Sequence, residues 1–76
     1  MSVTVADIVR RVIGHTRQML RERVYDWPTA RRALVRILAD LESRSPNDPN
    51  LAELRAFIEL GDRNATERGQ YPTRRD

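Results

Sequence analysis

Apolar residues recur at intervals of three and four along the first part of this chain, and that periodicity restricts the fold more than any other feature of the sequence. Val5, Ile8, Val9, Val12, Thr16, Met19 and Leu20 make one stripe when drawn at about 100° per residue, with Thr16 near its middle and Ile13 at its edge. Thr4 and Asp7 stand three apart at the start, as in a weak capping box, and an acid suits the positive end of a helix. A first helix is therefore expected to begin after Thr4.

The segment Tyr25-Asp26-Trp27-Pro28-Thr29 interrupts this pattern. Asp26 is a suitable cap for a second helix, and proline is tolerated in a first turn. Trp27, Ala30, Leu34, Ile37, Leu38 and Leu41 then form a second stripe, from which Val35 falls away. Trp27 stands at the head of that stripe, where it reads as a core plug beside the hairpin bend rather than as an exposed anchor for a partner.

The clearest loop is Ser43-Arg44-Ser45-Pro46-Asn47-Asp48-Pro49-Asn50, punctuated by proline, asparagine and serine. Asp48 followed by Pro49 resembles a further cap and first helical position. Leu51, Leu54, Phe57, Ile58 and Leu60 predict a short third helix, and Gly61 is placed to end it. Beyond Gly61 apolar residues almost vanish, too few to offset the entropy of ordering the chain.

These readings give an all-α fold class: an antiparallel helical hairpin plus a short third helix, forming a small three-helix bundle with a disordered C-terminal tail. The third helix is expected across the apolar seam of the hairpin or against a second copy. Residues 1–61 make a single helical domain and residues 62–76 a polar tail. Within that tail Tyr71-Pro72-Thr73-Arg74-Arg75 could serve as a short recognition peptide, but ordinary tail solubility is the favoured reading. The heptad-like seams span only two repeats, which suits a bundle better than a long coiled coil.

Composition narrows the sources of stability. A chain of 76 residues buries a modest share of its surface, and small domains commonly rely on disulfides, metals or association. There is no cysteine, and His15 is the only imidazole, so neither a disulfide nor a structural zinc site is expected. No cofactor is expected either. Association with a protein partner, including a homodimer, is the most available support. The first residues lack the basic and apolar regions of a signal peptide, and no apolar run approaches a membrane span, so a cytoplasmic location is expected.

Charge is distributed unevenly. Residues 1–36 carry eight arginines against three acids, a balance of +5, whereas residues 37–76 balance at −2. All fourteen basic residues are arginine, a side chain suited to bidentate contact with carboxylate or phosphate. On the helical wheel Arg10, Gly14, Arg17 and Arg21 fall on one strip, almost opposite the apolar stripe. Glycine inside a helix costs about 1 kcal/mol relative to alanine, so Gly14 is expected either as a tolerated surface residue or as a place where a partner approaches closely.

The second helix carries Arg31, Arg32 and Arg36 in its first half and Asp40 and Glu42 in its last, an order that opposes the helix dipole. Arg36 and Asp40 are spaced to pair. A hairpin sets the start of helix two beside the end of helix one, which would gather Arg17, Arg21, Arg23, Arg31 and Arg32 at one end. Arg10, Gly14, Arg17, Arg21, Arg23, Arg31 and Arg32 are the candidate partner-binding residues.

No catalytic set is present in the sequence. The helical neighbours of His15 are Arg11, Val12, Gln18 and Met19, none of them a carboxylate that would orient it. The expected function is therefore that of a non-enzymatic interaction protein (regulator, inhibitor or assembly subunit) that binds a protein partner through its basic face. The alternative is a nucleic-acid binder gripping phosphates with the arginine cluster. Against it stand the net charge of only +3 and the acidic second half, with Glu53 and Glu59 on the third helix. A membrane-surface helix is weaker still, because the apolar stripe has a partner within the chain.

Overall fold

The structure, a computed structural model, describes residues 3–67. It contains α1 (Val5–Arg21), α2 (Trp27–Arg44) and α3 (Asn50–Glu67). Short connections make successive helices antiparallel neighbours, and α1 and α3 therefore run in the same direction. The three-helix bundle expected from the periodicity is what forms. No helix among the described residues is long and apolar enough to cross a membrane.

Every helix starts where a short polar side chain can accept an orphan backbone N–H. Thr4 Oγ1 accepts from the Asp7 amide at 3.1 Å, and Asp26 Oδ1 accepts from the Thr29 amide at 3.2 Å. Asp48 Oδ1 accepts from both the amide and the side chain of Asn50, each at 2.9 Å, while the helix itself begins at Asn50 rather than at Pro49. The Thr29 hydroxyl and amide hold the Asp26 carboxyl below the usual aspartate range. A depressed carboxyl stabilises the fold above its ordinary pKa and loses that contribution as pH falls through the folded value. Asp26→Asn is accordingly expected to retain the cap near neutrality and to flatten the acid limb of a thermal-stability profile against pH. A profile identical to that of the parent chain would count against this linkage.

The core comprises Val9, Ile13, Trp27, Ala30, Leu34, Leu41, Leu51, Leu54, Ile58 and Ala65, with Thr16 buried among them. Trp27 is a core plug, only 3% exposed. Ile13 is a correction. It lies in the core rather than at the stripe edge, because α3 packs on both other helices more extensively than α1 and α2 pack on each other. The buried arc of α1 consequently turns toward α3.

The third helix is a larger correction. It is neither short nor ended by Gly61; it has 18 residues and runs to Glu67. Gly61 lies within it because the Trp27 indole occupies the space where a side chain would be. A Cβ there would stand 2.6 Å from Cζ3 of that ring and closer still to two other ring atoms. One turn further on, Ala65 is also buried. The proposed boundary at residue 61 thus falls inside a helix, and only 68–76 of the expected tail, including its Tyr71–Arg75 segment, lie outside the described residues. Leu60, placed on the third apolar stripe, is 44% exposed, since α3 buries the arc through Leu51, Leu54, Ile58 and Ala65.

One ion pair differs from expectation, and a second was not anticipated. Asp40 meets Arg44 at 3.4 Å rather than Arg36, and Glu42 reaches Arg55 of α3 at 2.7 Å. An acid four residues ahead of a base follows the helix dipole, whereas Arg36 followed by Asp40 opposes it.

Candidate functional site: a basic-walled groove between α1 and α3

The end of α1 sets the geometry of the site. The Arg23 amide donates to the Leu20 carbonyl at 3.1 Å, and the Val24 amide donates to the Met19 carbonyl at 2.9 Å. This pair of reversed bonds is the Schellman closure of a helix, which places its first outside residue in the left-handed region. Glycine usually occupies that position. Here it is Arg23, at φ 60°, the only non-glycine residue with positive φ among the described residues. The conformation costs about 1–2 kcal/mol for a residue bearing a Cβ.

Arg23 lies at the mouth of an open groove of about 1290 Å³. Its walls include Arg17, Leu20 and Arg21 of α1, Val24, Tyr25 and Asp26 of the connection, and Phe57, Leu60 and Asn64 of α3. The groove continues along the same two helices past Arg10, Gly14, Glu53 and Ala56. Enclosed clefts for small ligands are typically about 300–1,000 Å³. This wider, open depression suits a macromolecular surface.

A chain of side-chain contacts fixes the floor. The Arg17 guanidinium lies 5.7 Å from the Phe57 ring centroid, in cation–π range. Phe57 meets Trp27 edge to face, with centroids 6.2 Å apart and planes at 82°. The Trp27 Nε1–H donates to Asp62 Oδ1 at 2.7 Å. Arg31 Nε–H donates to both oxygens of the same carboxylate, at 2.9 and 3.1 Å. The series joins all three helices, so the groove floor is tied to the packing of the core.

The candidate binding residues divide accordingly. Arg10, Gly14, Arg17, Arg21 and Arg23 line the groove. The strip they form is not opposite the core, as the wheel suggested; it flanks the α1–α3 seam, because the buried arc has turned toward it. Arg31 is engaged with Asp62 of α3 in a part-exposed pair. Arg32 is exposed and near enough to Asp26 to help depress its carboxyl. Phe57, Leu60 and Asp62 were not anticipated as parts of the site. Their positions depend on how α3 seats against Trp27, which no local pattern encodes.

Among the described residues, no carboxylate comes within ion-pair distance of Arg17, Arg21 or Arg23, and Arg10 has only a 3.7 Å contact with Asp7. No group of three or more His, Cys, Asp or Glu residues there could hold a metal ion. His15 is exposed on α1. Gly14 faces open space, with nothing within 4 Å of where a Cβ would stand. Gly14→Ala is therefore expected to stabilise the free protein by about 1 kcal/mol, read from the midpoint of a urea transition. A destabilised variant would show that the position is not open.

Fold and groove together define a small all-α three-helix-bundle protein with an arginine-edged surface groove. No family model, curated protein or solved structure matches this chain.

Proposed function

We propose that this protein is a small non-enzymatic interaction module that binds an acidic protein surface through the arginine edge of the α1–α3 groove. The reading is carried by one observation: Arg17, Arg21 and Arg23 stand around an apolar floor with no carboxylate partner among the described residues. Arginine beside aromatic and aliphatic surface is a combination enriched at protein interfaces. The backbone of Arg23 supports it. A guanidinium is kept at a helix-ending position where glycine would be more stable, as happens when a side chain is needed at a binding surface.

A nucleic acid would also neutralise these arginines. It would leave Phe57 and Leu60 unused, however, and would meet Glu53 on the opposite wall. The net charge of +3 is also small for a phosphate-gripping protein.

The test is retention of cellular proteins on the immobilised full chain, compared with an Arg17→Glu/Arg21→Glu variant, alongside titration with duplex DNA over a range of salt. Both sites are exposed, so the variant is expected to keep its helical circular dichroism. Retention of a specific protein by the parent and its loss in the variant is the expected result. Steeply salt-dependent DNA binding, lost in the same variant, would overturn the proposal. Arg23→Gly should separate stability from binding: about 1 kcal/mol more stable in urea, yet weaker toward the retained protein. Unchanged affinity in that variant would remove Arg23 from the interface.

A further inference from the structure

The two walls of the groove share one spacing. Arg10, Gly14, Arg17 and Arg21 follow one another on α1 at intervals of four, three and four residues. Glu53, Phe57, Leu60 and Asn64 do the same on α3. Alternation of four and three is the interval at which one helix meets another along its length. Two parallel helices thus present matching rows to the space between them, which the Arg17 guanidinium crosses to reach the Phe57 ring.

We propose that the groove is a seat for a fourth helix, supplied by a partner protein and carrying carboxylates on the side that faces α1. This rests on the protein-binding reading given above and specifies the partner's chemistry and shape. Covering the guanidiniums of Arg17 and Arg21 withdraws them from water, which is unfavourable unless each gains a paired charge. The groove is lined by Glu53 on the opposite wall and Asp26 at the head of α2, and neither pairs with Arg17 or Arg21, so the pairing carboxylates come from the incoming helix. Its other side meets Phe57 and Leu60 and is apolar.

The shape argument is independent of charge. Gly14 leaves room for a side chain to enter between the arginines, and Ala56 is the small residue on the facing wall. The row from Arg10 to Arg21 is about three helical turns long, near 16 Å. An extended strand repeats a face about every 6.7 Å and falls out of step with rows spaced about 6, 4.5 and 6 Å. A second copy of the chain is a poor occupant, because seating its own α1–α3 face there would set one arginine edge against another.

The experiment uses the isotopically labelled full chain, observed through its backbone amide resonances. Three probes are added in turn: a synthetic helical peptide with glutamate and leucine in four-three register, a peptide of the same composition with that register scrambled, and a DNA duplex. The in-register peptide is expected to move the amides of Gly14, Arg17, Leu60 and Asn64 saturably and to bind about tenfold more tightly than the scrambled one. The response should disappear in Arg17→Glu/Arg21→Glu. Equal binding of both peptides would overturn the helix seat while leaving an acidic-protein surface intact. The same amides responding to DNA but to neither peptide would overturn this inference and the protein-binding reading together. Movement on concentrating the chain by itself would assign the groove to a second copy and also overturn the seat, as would silence toward all three probes.

Discussion

Trp27→Ala is expected to lose about 3–5 kcal/mol of unfolding free energy, the range for truncating a buried large aromatic. A domain of 76 residues has about 4–11 kcal/mol in total at typical values per residue, so this one change would remove on the order of half of it. The size of the effect follows from where the indole lies. It is buried, meets Phe57 edge to face, covers Gly61 and donates to Asp62. Removing it opens a cavity between α2 and α3 and takes one donor from a carboxylate that also holds Arg31. Trp27→Phe, which keeps a ring but lacks the N–H, should lose less, about 1–2 kcal/mol from the hydrogen bond plus a smaller packing defect. Urea unfolding followed by far-ultraviolet circular dichroism reads both variants. A Trp27→Ala chain within 1 kcal/mol of the parent would contradict this account of the core.

Gly61→Ala is the second large effect, and its sign is opposite to what helix propensity predicts. Alanine favours a helix interior by about 1 kcal/mol over glycine. At this position, however, the added methyl would overlap the Trp27 ring, and something must move. The ring is held by Asp62 and Phe57, so it cannot yield as a flexible side chain would. Overpacking of this kind typically costs about 1–3 kcal/mol, and the contacts here are severe enough that a net loss of about 2 kcal/mol is expected. The two helical glycines therefore form a controlled pair: alanine stabilises at 14 and destabilises at 61. A double-mutant cycle with Trp27→Leu would test the cause, since shrinking the ring should remove most of the Gly61→Ala penalty. Additive losses would locate the strain elsewhere.

What was legible in the sequence was local. Caps at Thr4, Asp26 and Asp48 concern groups two or three residues apart, and each side chain accepts a nearby amide, although the third helix begins at Asn50 and not at Pro49. The three apolar stripes gave the correct number and class of helices. The errors arise where a distant residue decides. Gly61 carries the same letter whether it closes a helix or admits a tryptophan, and only the position of Trp27 distinguishes the cases. Asp62 has no sequence pattern linking it to Trp27 or Arg31. The wheel placed Ile13 at an edge because it weighed the neighbours of α1 equally, whereas α3 is the more extensive contact. The arginine edge was visible as a strip; its apolar floor was not, since Phe57 and Leu60 come from α3. Arg31 joined the expected cluster by nearness in sequence, yet its carboxylate partner on α3 draws it to a different task.

The contact series beneath the groove has a spectroscopic consequence. Trp27 is the chain's only tryptophan, so all indole emission comes from one place, and that place lies directly beneath the proposed seat. Its N–H is tied to a carboxylate and its ring edge to Phe57, which in turn lies under Arg17. A ligand that draws the Arg17 guanidinium away from Phe57 changes the surroundings of the fluorophore without touching it. The unlabelled protein therefore contains its own optical reporter, able to register occupancy of the groove and unfolding of the core in the same cuvette.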